Sequence, residues 1–286
     1  MPTNPSGAGD RDYASVNQQW FSMLSKAEFV EGSPHLNHPQ LRYLCFKLAQ
    51  EALQKISSEQ NPPLVLDMGA GDGALTVPYL ELGAKVTAAD VTVGFLQSLK
   101  QRSRAYHESL TVIPGDIFET LRELSANGQQ FDLVCASSFL HHIPDYLELC
   151  RLACRLVRKG GIFFTFQDPL RYDTVGRLDR MTERAGYFWW RCFQGNYLRG
   201  INTRFRRLFG VYRPDLPEDS AEYHVVRSGI DEVAVQKLLT SEGFECEIRP
   251  YWSTHSLFFQ HLGEKLKLVS NFAVLAKKTV ATKNSA

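Results

Sequence analysis

Carboxylates, glycines and histidines recur in this chain at spacings that chemistry uses. In Asp67-Met68-Gly69-Ala70-Gly71-Asp72-Gly73-Ala74 a carboxylate precedes three alternating glycines. Such glycines let the backbone turn tightly and let a ligand approach it closely. A helix starting after them offers unpaired N–H groups and a positive dipole end, so the stretch reads as a cradle for a nucleotide-like cofactor. Asp90 lies about 20 residues on, where a carboxylate can accept from both hydroxyls of a ribose. Proton transfer near neutral pH suits histidine, and the candidates are His141, His142 and His224. The His141-His142 pair fits a pocket-shaping role as well as a base. His224 and Arg227, in Tyr223-His224-Val225-Val226-Arg227, fit a surface hinge as well as a substrate contact. Trp20, His38, Tyr223 and Arg227 are the candidate substrate contacts. The six cysteines form no Cys-x-x-Cys pair, so no metal site is expected.

Elements must hold these groups in place. Leu64–Leu66 is a short apolar run between Pro62-Pro63 and the glycines, as a buried parallel strand should be. Strands are expected at 63–67, 85–89, 110–113, 131–136 and 162–167. Helices are expected at 74–82, 92–105, 117–126 and 145–157. This alternation predicts βαβ units and a parallel sheet covered on both faces. The carboxylates and the histidine pair then fall at the carboxyl edge of the strands, where open α/β sheets bind ligands. Two helices, 13–30 and 39–57, precede the first strand and either form part of a lid or pack on the sheet. A helix at 230–242 and strands at 244–252 and 271–276 close the chain, the last two joined by a long connection.

Between strand five and residue 230 the alternation stops. Residues 170–213 hold ten arginines, three acidic residues and no lysine, interleaved with aromatics. Arginines so gathered attract phosphate, carboxylate or an acidic lipid surface. The same composition fits a cap whose arginines are solvated and whose aromatics pack on the sheet.

Bulk properties narrow the class. The 286 residues suffice for one large domain with additions or two small ones. A net charge of +1 gives no general case for a nucleic-acid partner. No apolar window is long enough for a transmembrane segment. Met1–Asp10 lacks the apolar run of a secretory leader, so a cytoplasmic setting is expected.

The glycine turn does not choose its cofactor alone. Gly69, Gly71 and Ala74, with Asp90 downstream, also satisfy the dinucleotide fingerprint, which leaves an NAD(P)-dependent oxidoreductase open. Further features make the chain resemble the class I S-adenosylmethionine-dependent methyltransferases. These are Asp67 directly ahead of the glycines, Asp90 ending strand two, and Gly115-Asp116 after strand three. Phe131-Asp132-Leu133-Val134 leading to Leu140-His141-His142-Ile143-Pro144-Asp145, then Leu156-Val157-Arg158-Lys159-Gly160-Gly161, looks like the family's later motifs. The resemblance covers roughly 60–167 and, less specifically, 230–277.

It implies a Rossmann-like three-layer sandwich around a mostly parallel seven-stranded sheet with the last strand antiparallel, N-terminal helices, and a helical cap after strand five. It implies S-adenosyl-L-methionine as cofactor, held by Asp67, Gly69, Ala70, Gly71, Asp72, Gly73, Asp90, Val91, Phe95, Asp116, Ile117, Ser137 and Leu140. Asp67 and the turn carbonyls would meet the methionyl ammonium, and Asp116 the adenine amino group. The expected activity is methyl transfer to a small-molecule acceptor, on oxygen, in a biosynthetic or glycan/lipid-modifying pathway. Carbon or nitrogen of an anionic metabolite is the alternative. An anionic or lipid-linked acceptor suits the arginines, and no nucleic-acid partner is expected. The expected organisation is a disordered tail (1–12), helical lid (13–58), cofactor-binding core (59–167), cap (168–228), C-terminal core (229–278) and tail (279–286).

Overall fold

A computed structural model of the chain describes residues 13–23, 30–57, 61–193, 223–225 and 228–279. Seven strands form one sheet in the order β3-β2-β1-β4-β5-β7-β6. They are β1 (Leu64–Met68), β2 (Lys85–Asp90), β3 (Leu110–Pro114), β4 (Phe131–Ser137), β5 (Val157–Pro169), β6 (Phe244–Tyr251) and β7 (Asn271–Lys278). The first five run parallel, and β7 is antiparallel to both of its neighbours. The helices are α1 (Tyr13–Met23), α2 (Pro34–Asn37), α3 (Pro39–Gln54), α4 (Thr76–Glu81), α5 (Val93–Arg102), α6 (Ile117–Ala126), α7 (Tyr146–Leu156), α8 (Arg177–Phe193), α9 (Glu232–Ser241) and α10 (Leu257–Lys265).

Alternating side chains on each strand feed opposite faces of the sheet. Leu66 and Met68 of β1 join the core under α6, α7 and α9, while Val65 joins the core under α3 and α4. Asp116, Asp145 and Asp231 each cap a helix by accepting an N–H three residues on, which sets where α6, α7 and α9 begin. The number and directions of the strands match those expected.

Three expectations need correction. The helix after the glycine turn starts at Thr76 and not at residue 74, because residues 71–75 are still turning. The strand expected at 162–167 begins at Val157, and Gly160-Gly161 form an irregularity inside it. Pairing starts at Phe131↔Val157 and resumes at Leu133↔Ile162, and a Cβ on Gly161 would crowd the Asp132 carbonyl. The connection between β6 and β7 contains a helix, α10. Its Gly263 packs flat on the Trp252 ring, whose Nε1 donates to the Phe259 carbonyl at 2.9 Å. Leu257 and Phe258 are exposed, so the apolar residues of this helix do not all face the core.

Two non-glycine residues in the left-handed region bear on the site. Ser138 (φ 54°) follows β4, and Gln167 (φ 69°) lies where the β5–β7 register shifts between Thr165 and Asp168. Such a conformation persists only when neighbours hold it. Here the Ser138 N–H donates to the Phe166 carbonyl at 2.7 Å. Gln167 accepts from Tyr251 at 2.9 Å and donates to Ser253 at 2.7 Å. The bulge sets the direction of the next residue, Asp168.

Candidate functional site

The site begins at the ends of β1 and β2. The Gly71 N–H donates to Asp90 Oδ2 at 2.8 Å and the Thr92 N–H to Oδ1 at 2.7 Å. The Ala70 N–H donates to the Ala89 carbonyl at 3.0 Å. The glycine turn is thereby tied to the end of the next strand. Gly69 (φ 64°) needs the freedom of glycine, and a Cβ there would overlap the Phe139 ring. Burial raises the Asp90 carboxyl pKa above its ordinary value, while the two N–H groups act in the opposite direction.

Asp67 lies beneath the turn and is almost fully buried. Thr76 Oγ1 donates to its Oδ2 at 2.6 Å, and Cys135, its register partner on β4, lies 3.7 Å from Oδ1. Burial is the largest influence on this carboxyl and lifts its pKa to about 7. The sequence reading placed Asp67 on the methionyl ammonium. The structure gives its oxygens to Thr76 and Cys135, so it braces the turn from below. Asp72 is also buried and pairs with Arg102 at 3.2 Å. Ile117 and Leu140 have their side chains in the core, so any ligand contact runs through their backbone.

A cleft of about 480 Å³ opens beside this cradle, lined by Ala14, Gln18, Val91, Gly115, Asp116 and Glu119 among others. Its floor is the edge of β2 and β3, and one wall is α1. Tyr13 of α1 donates to Asp116 Oδ2 at 2.5 Å and sets its ring edge-on to Phe118. Further along the same helix, Phe21 packs 6.1 Å from Phe95 and edge-on to His142 at 5.3 Å. One helix therefore touches both ends of the site.

At the far end, His141 Nδ1 lies 2.8 Å from Asp168 Oδ1, and its backbone N–H donates to the same oxygen at 3.1 Å. Asp168 is wholly buried, and its Oδ2 meets no hydrogen-bond partner. The His142 ring lies 4.1 Å from that of His141. Two more histidines approach from α2 and α3. His35 is buried with Nδ1 unpartnered, and burial, with His141 nearby, pushes its pKa down to about 3. His38 is fully buried at the start of α3 against the Thr254 and His255 carbonyls. Those carbonyls favour its charged form, but burial outweighs them and lowers its pKa. Trp190 of α8 stacks at a tilt on His255, with ring centroids 4.6 Å apart.

Of the expected cofactor residues, Val91 and Asp116 line the cleft and Gly69, Gly71 and Asp90 form the cradle, while His141 and His142 stand ring to ring after β4. Ser137 adds a buried hydroxyl without a partner at the end of β4. Trp20 sits half-buried on α1. His224 has a different position: its Nε2 reaches the Ile143 and Pro144 carbonyls at 3.1 and 3.2 Å, and its N–H donates to the His141 carbonyl at 2.9 Å. It fastens residues 223–225 onto the turn that carries His141. Tyr223 packs edge-on against it. Arg227 lies outside the described residues, as does most of the expected cap beyond residue 193. The sequence reading left out Asp168, Tyr13, Phe21 and His35. Asp168 carried a usable signal, a carboxylate ending strand five as Asp90 ends strand two. Tyr13, Phe21 and His35 carried none. Among the described residues no group of three or more His, Cys, Asp or Glu could hold a metal ion.

Comparisons with known proteins agree with this geometry. A family described as a methyltransferase domain matches residues 66–165. A ubiquinone biosynthesis O-methyltransferase of Methylobacterium sp. (strain 4-46) is 35% identical over 101 residues, covering 35% of this chain and 39% of that protein. The chain thus spans well under half the length of this relative. Magnesium protoporphyrin IX methyltransferase from Synechocystis PCC 6803, solved with bound S-adenosylmethionine, aligns at a TM-score of 0.54 and 14% identity over 96% of this chain and 100% of that one. The plantazolicin methyltransferase BpumL, in complex with S-adenosylhomocysteine, aligns at 0.54 and 14% over 93% and 95%. At such identity these two likenesses show the fold.

Proposed function

We propose that this chain, whose residues 66–165 match a methyltransferase domain family, transfers a methyl group from S-adenosylmethionine to an oxygen of a small-molecule acceptor. The observation that carries the reading is the pairing of two arrangements across one site. The Asp90-held glycine turn and its cleft lie at one end, and the Asp168-held His141 lies at the other.

The residues fit the donor. Asp90 fixes the turn with one set of lone pairs and keeps others for a ribose diol. The Gly69 backbone leaves no room for a side chain, as a close-approach cradle requires. Asp116 faces the cleft with an acceptor for an exocyclic amine. Bound there, S-adenosylmethionine supplies a methyl group already activated by a sulfonium.

On the acceptor side, Asp168 holds the proton of His141 on Nδ1, which leaves Nε2 as the accepting nitrogen. His141 takes the acceptor's hydroxyl proton as the oxygen–methyl bond forms and the methyl–sulfur bond breaks. His142 and Phe21 shield that transfer from water. The carboxylate partner Asp168 is what recommends His141 as the base. The relative's name, an O-methyltransferase, supports oxygen as the acceptor atom. We read α1 and α2–α3 as the lid of the 13–58 region, and a biosynthetic or lipid-modifying role fits the acceptor end best.

Calorimetry with S-adenosylhomocysteine tests the donor assignment. Wild type binds one equivalent, and no binding overturns the reading. A labelled-methyl assay with phenolic acceptors tests the chemistry, and label found only in C- or N-methyl products would refute oxygen transfer.

A further inference from the structure

We propose that the outward face of α8 docks on an anionic lipid surface and turns the acceptor end of the site toward it. The helix is 17 residues long and divides cleanly. Inward, Thr182 and Gly186 are buried, Gly186 lies against Thr254 and Phe259, and Tyr187 and Trp190 flank His255. Asp179 also turns inward, its Oδ1 accepting the Val269 N–H at 2.7 Å. Outward, Leu178, Met181, Phe188 and Trp189 are each at least half exposed, at 59%, 69%, 61% and 51%. Leu178, Met181 and Phe188 stand three and seven residues apart, which is one side of a helix. Arg177 and Arg184 share that exposed side and no carboxylate does. On the neighbouring α10, Leu257 and Phe258 are exposed as well.

Large apolar side chains with aromatic and arginine neighbours on one helix face suit the boundary between headgroups and acyl chains. The rings and aliphatic chains enter that boundary, and the guanidinium groups stay with phosphate. Charge chooses among the possible occupants. A symmetric pair of these faces would gather four arginines in one interface with no carboxylate to offset them. An anionic bilayer supplies the complementary charge. No helix among the described residues is long and apolar enough to cross a membrane, so the contact is interfacial.

The inner side of α8 gives the docking its purpose. Trp190 rests on His255, whose carbonyl faces the buried His38, and His35 from the same region lies near His141. The helix therefore stands between the lipid surface and the acceptor end. An acceptor entering there is an amphiphile with its hydroxyl on a ring or headgroup, a clause that rests on the methyl-transfer reading above.

The test uses the full chain and sedimentation with vesicles of phosphatidylcholine, alone or mixed with phosphatidylglycerol. Wild type should bind the mixed vesicles, weakly or not at all the neutral ones, and should release as salt rises. The double variant Leu178→Ser/Phe188→Ser should lose about tenfold or more in partitioning, and Arg177→Gln/Arg184→Gln a comparable factor on mixed vesicles only. Both variants should keep wild-type affinity for S-adenosylhomocysteine, which shows that they fold. Absence of wild-type binding to mixed vesicles, or equal binding by the variants, overturns the proposal. A wild-type dimer in ultracentrifugation that Leu178→Ser/Phe188→Ser converts to monomer overturns it in favour of a contact between copies. Loss of S-adenosylhomocysteine binding with vesicle binding intact would defeat the methyltransferase reading and leave the docking face standing.

Discussion

At the donor end, Asp90 accepts from the Gly71 and Thr92 N–H groups and Asp116 from Tyr13, so each carboxylate is already oriented. At the acceptor end, among the described residues, Asp168 Oδ2, His35 Nδ1 and Thr254 Oγ1 are buried with no hydrogen-bond partner. The first arrangement is a mould whose carboxylates are oriented before a ligand arrives, although the Thr92 and Ser137 hydroxyls there are also buried without partners. The second keeps polar atoms out of water without replacing the bonds they lost, at about 1–3 kcal/mol each. Such a debt persists where a bound molecule settles it, so polar groups of the acceptor are expected at Asp168 and His35. The contrast also separates two kinds of failure. Damage to the donor end should appear in binding, and damage to the acceptor end in turnover.

The sharpest attack on that contrast is His141→Ala. It should lower kcat by about 10²–10⁴-fold while leaving S-adenosylhomocysteine affinity within about twofold. Asp168→Asn should follow it in direction and move the acid limb of the kcat profile. Equal loss of binding in either variant would merge the two ends into one cofactor pocket. Next in size is Asp90→Ala, which should weaken S-adenosylhomocysteine about 100-fold by calorimetry. It removes the diol acceptor and releases two backbone donors at once.

A third test concerns the support beneath the mould. The Asp67 carboxyl titrates from an ordinary 3.8 up to about 7 in the folded protein. Between those values the folded state holds a proton that the unfolded state has lost. Stability therefore falls as pH rises from about 4 to 7, and the cost remains above 7. Asp67→Asn should be more stable than wild type at pH 8 by about 1–3 kcal/mol in urea unfolding, with the difference gone near pH 4. A difference independent of pH would show that burial does not govern this carboxyl. The smallest effect expected is Tyr13→Phe, which removes one hydrogen bond between α1 and Asp116. It should change S-adenosylhomocysteine affinity by about fivefold or less, with kcat nearly unchanged. A large fall in kcat would mean that α1 transmits donor binding to His142 through Phe21.

The donor end was legible because it is short-range. Asp67 through Gly73 is one continuous turn, and Asp90 and Asp116 each end the next strand in a regular alternation. Strand ends in a parallel sheet lie on one edge, so spacing alone puts these groups together. Spacing did not show that Asp67, in register with Cys135, also accepts from Thr76. The acceptor end draws on α1, α2, α3, the turn after β4, the end of β5 and the loop before α10. No periodicity relates those segments. His224 shows the consequence: its type suggested a base, and only its distances to the Ile143 and Pro144 carbonyls revealed a fastening.

The amino-acid sequence by itself determined the alternation of strands and helices, the glycine turn and the edge on which the carboxylates stand. Those follow from local periodicity and backbone freedom, which neighbouring residues encode. The tertiary structure alone decided that His141 has Asp168 behind it. That choice depends on a bulge at Gln167, held from β6 by Tyr251 and from the loop after it by Ser253, which aims Asp168 at His141 across 27 residues of chain.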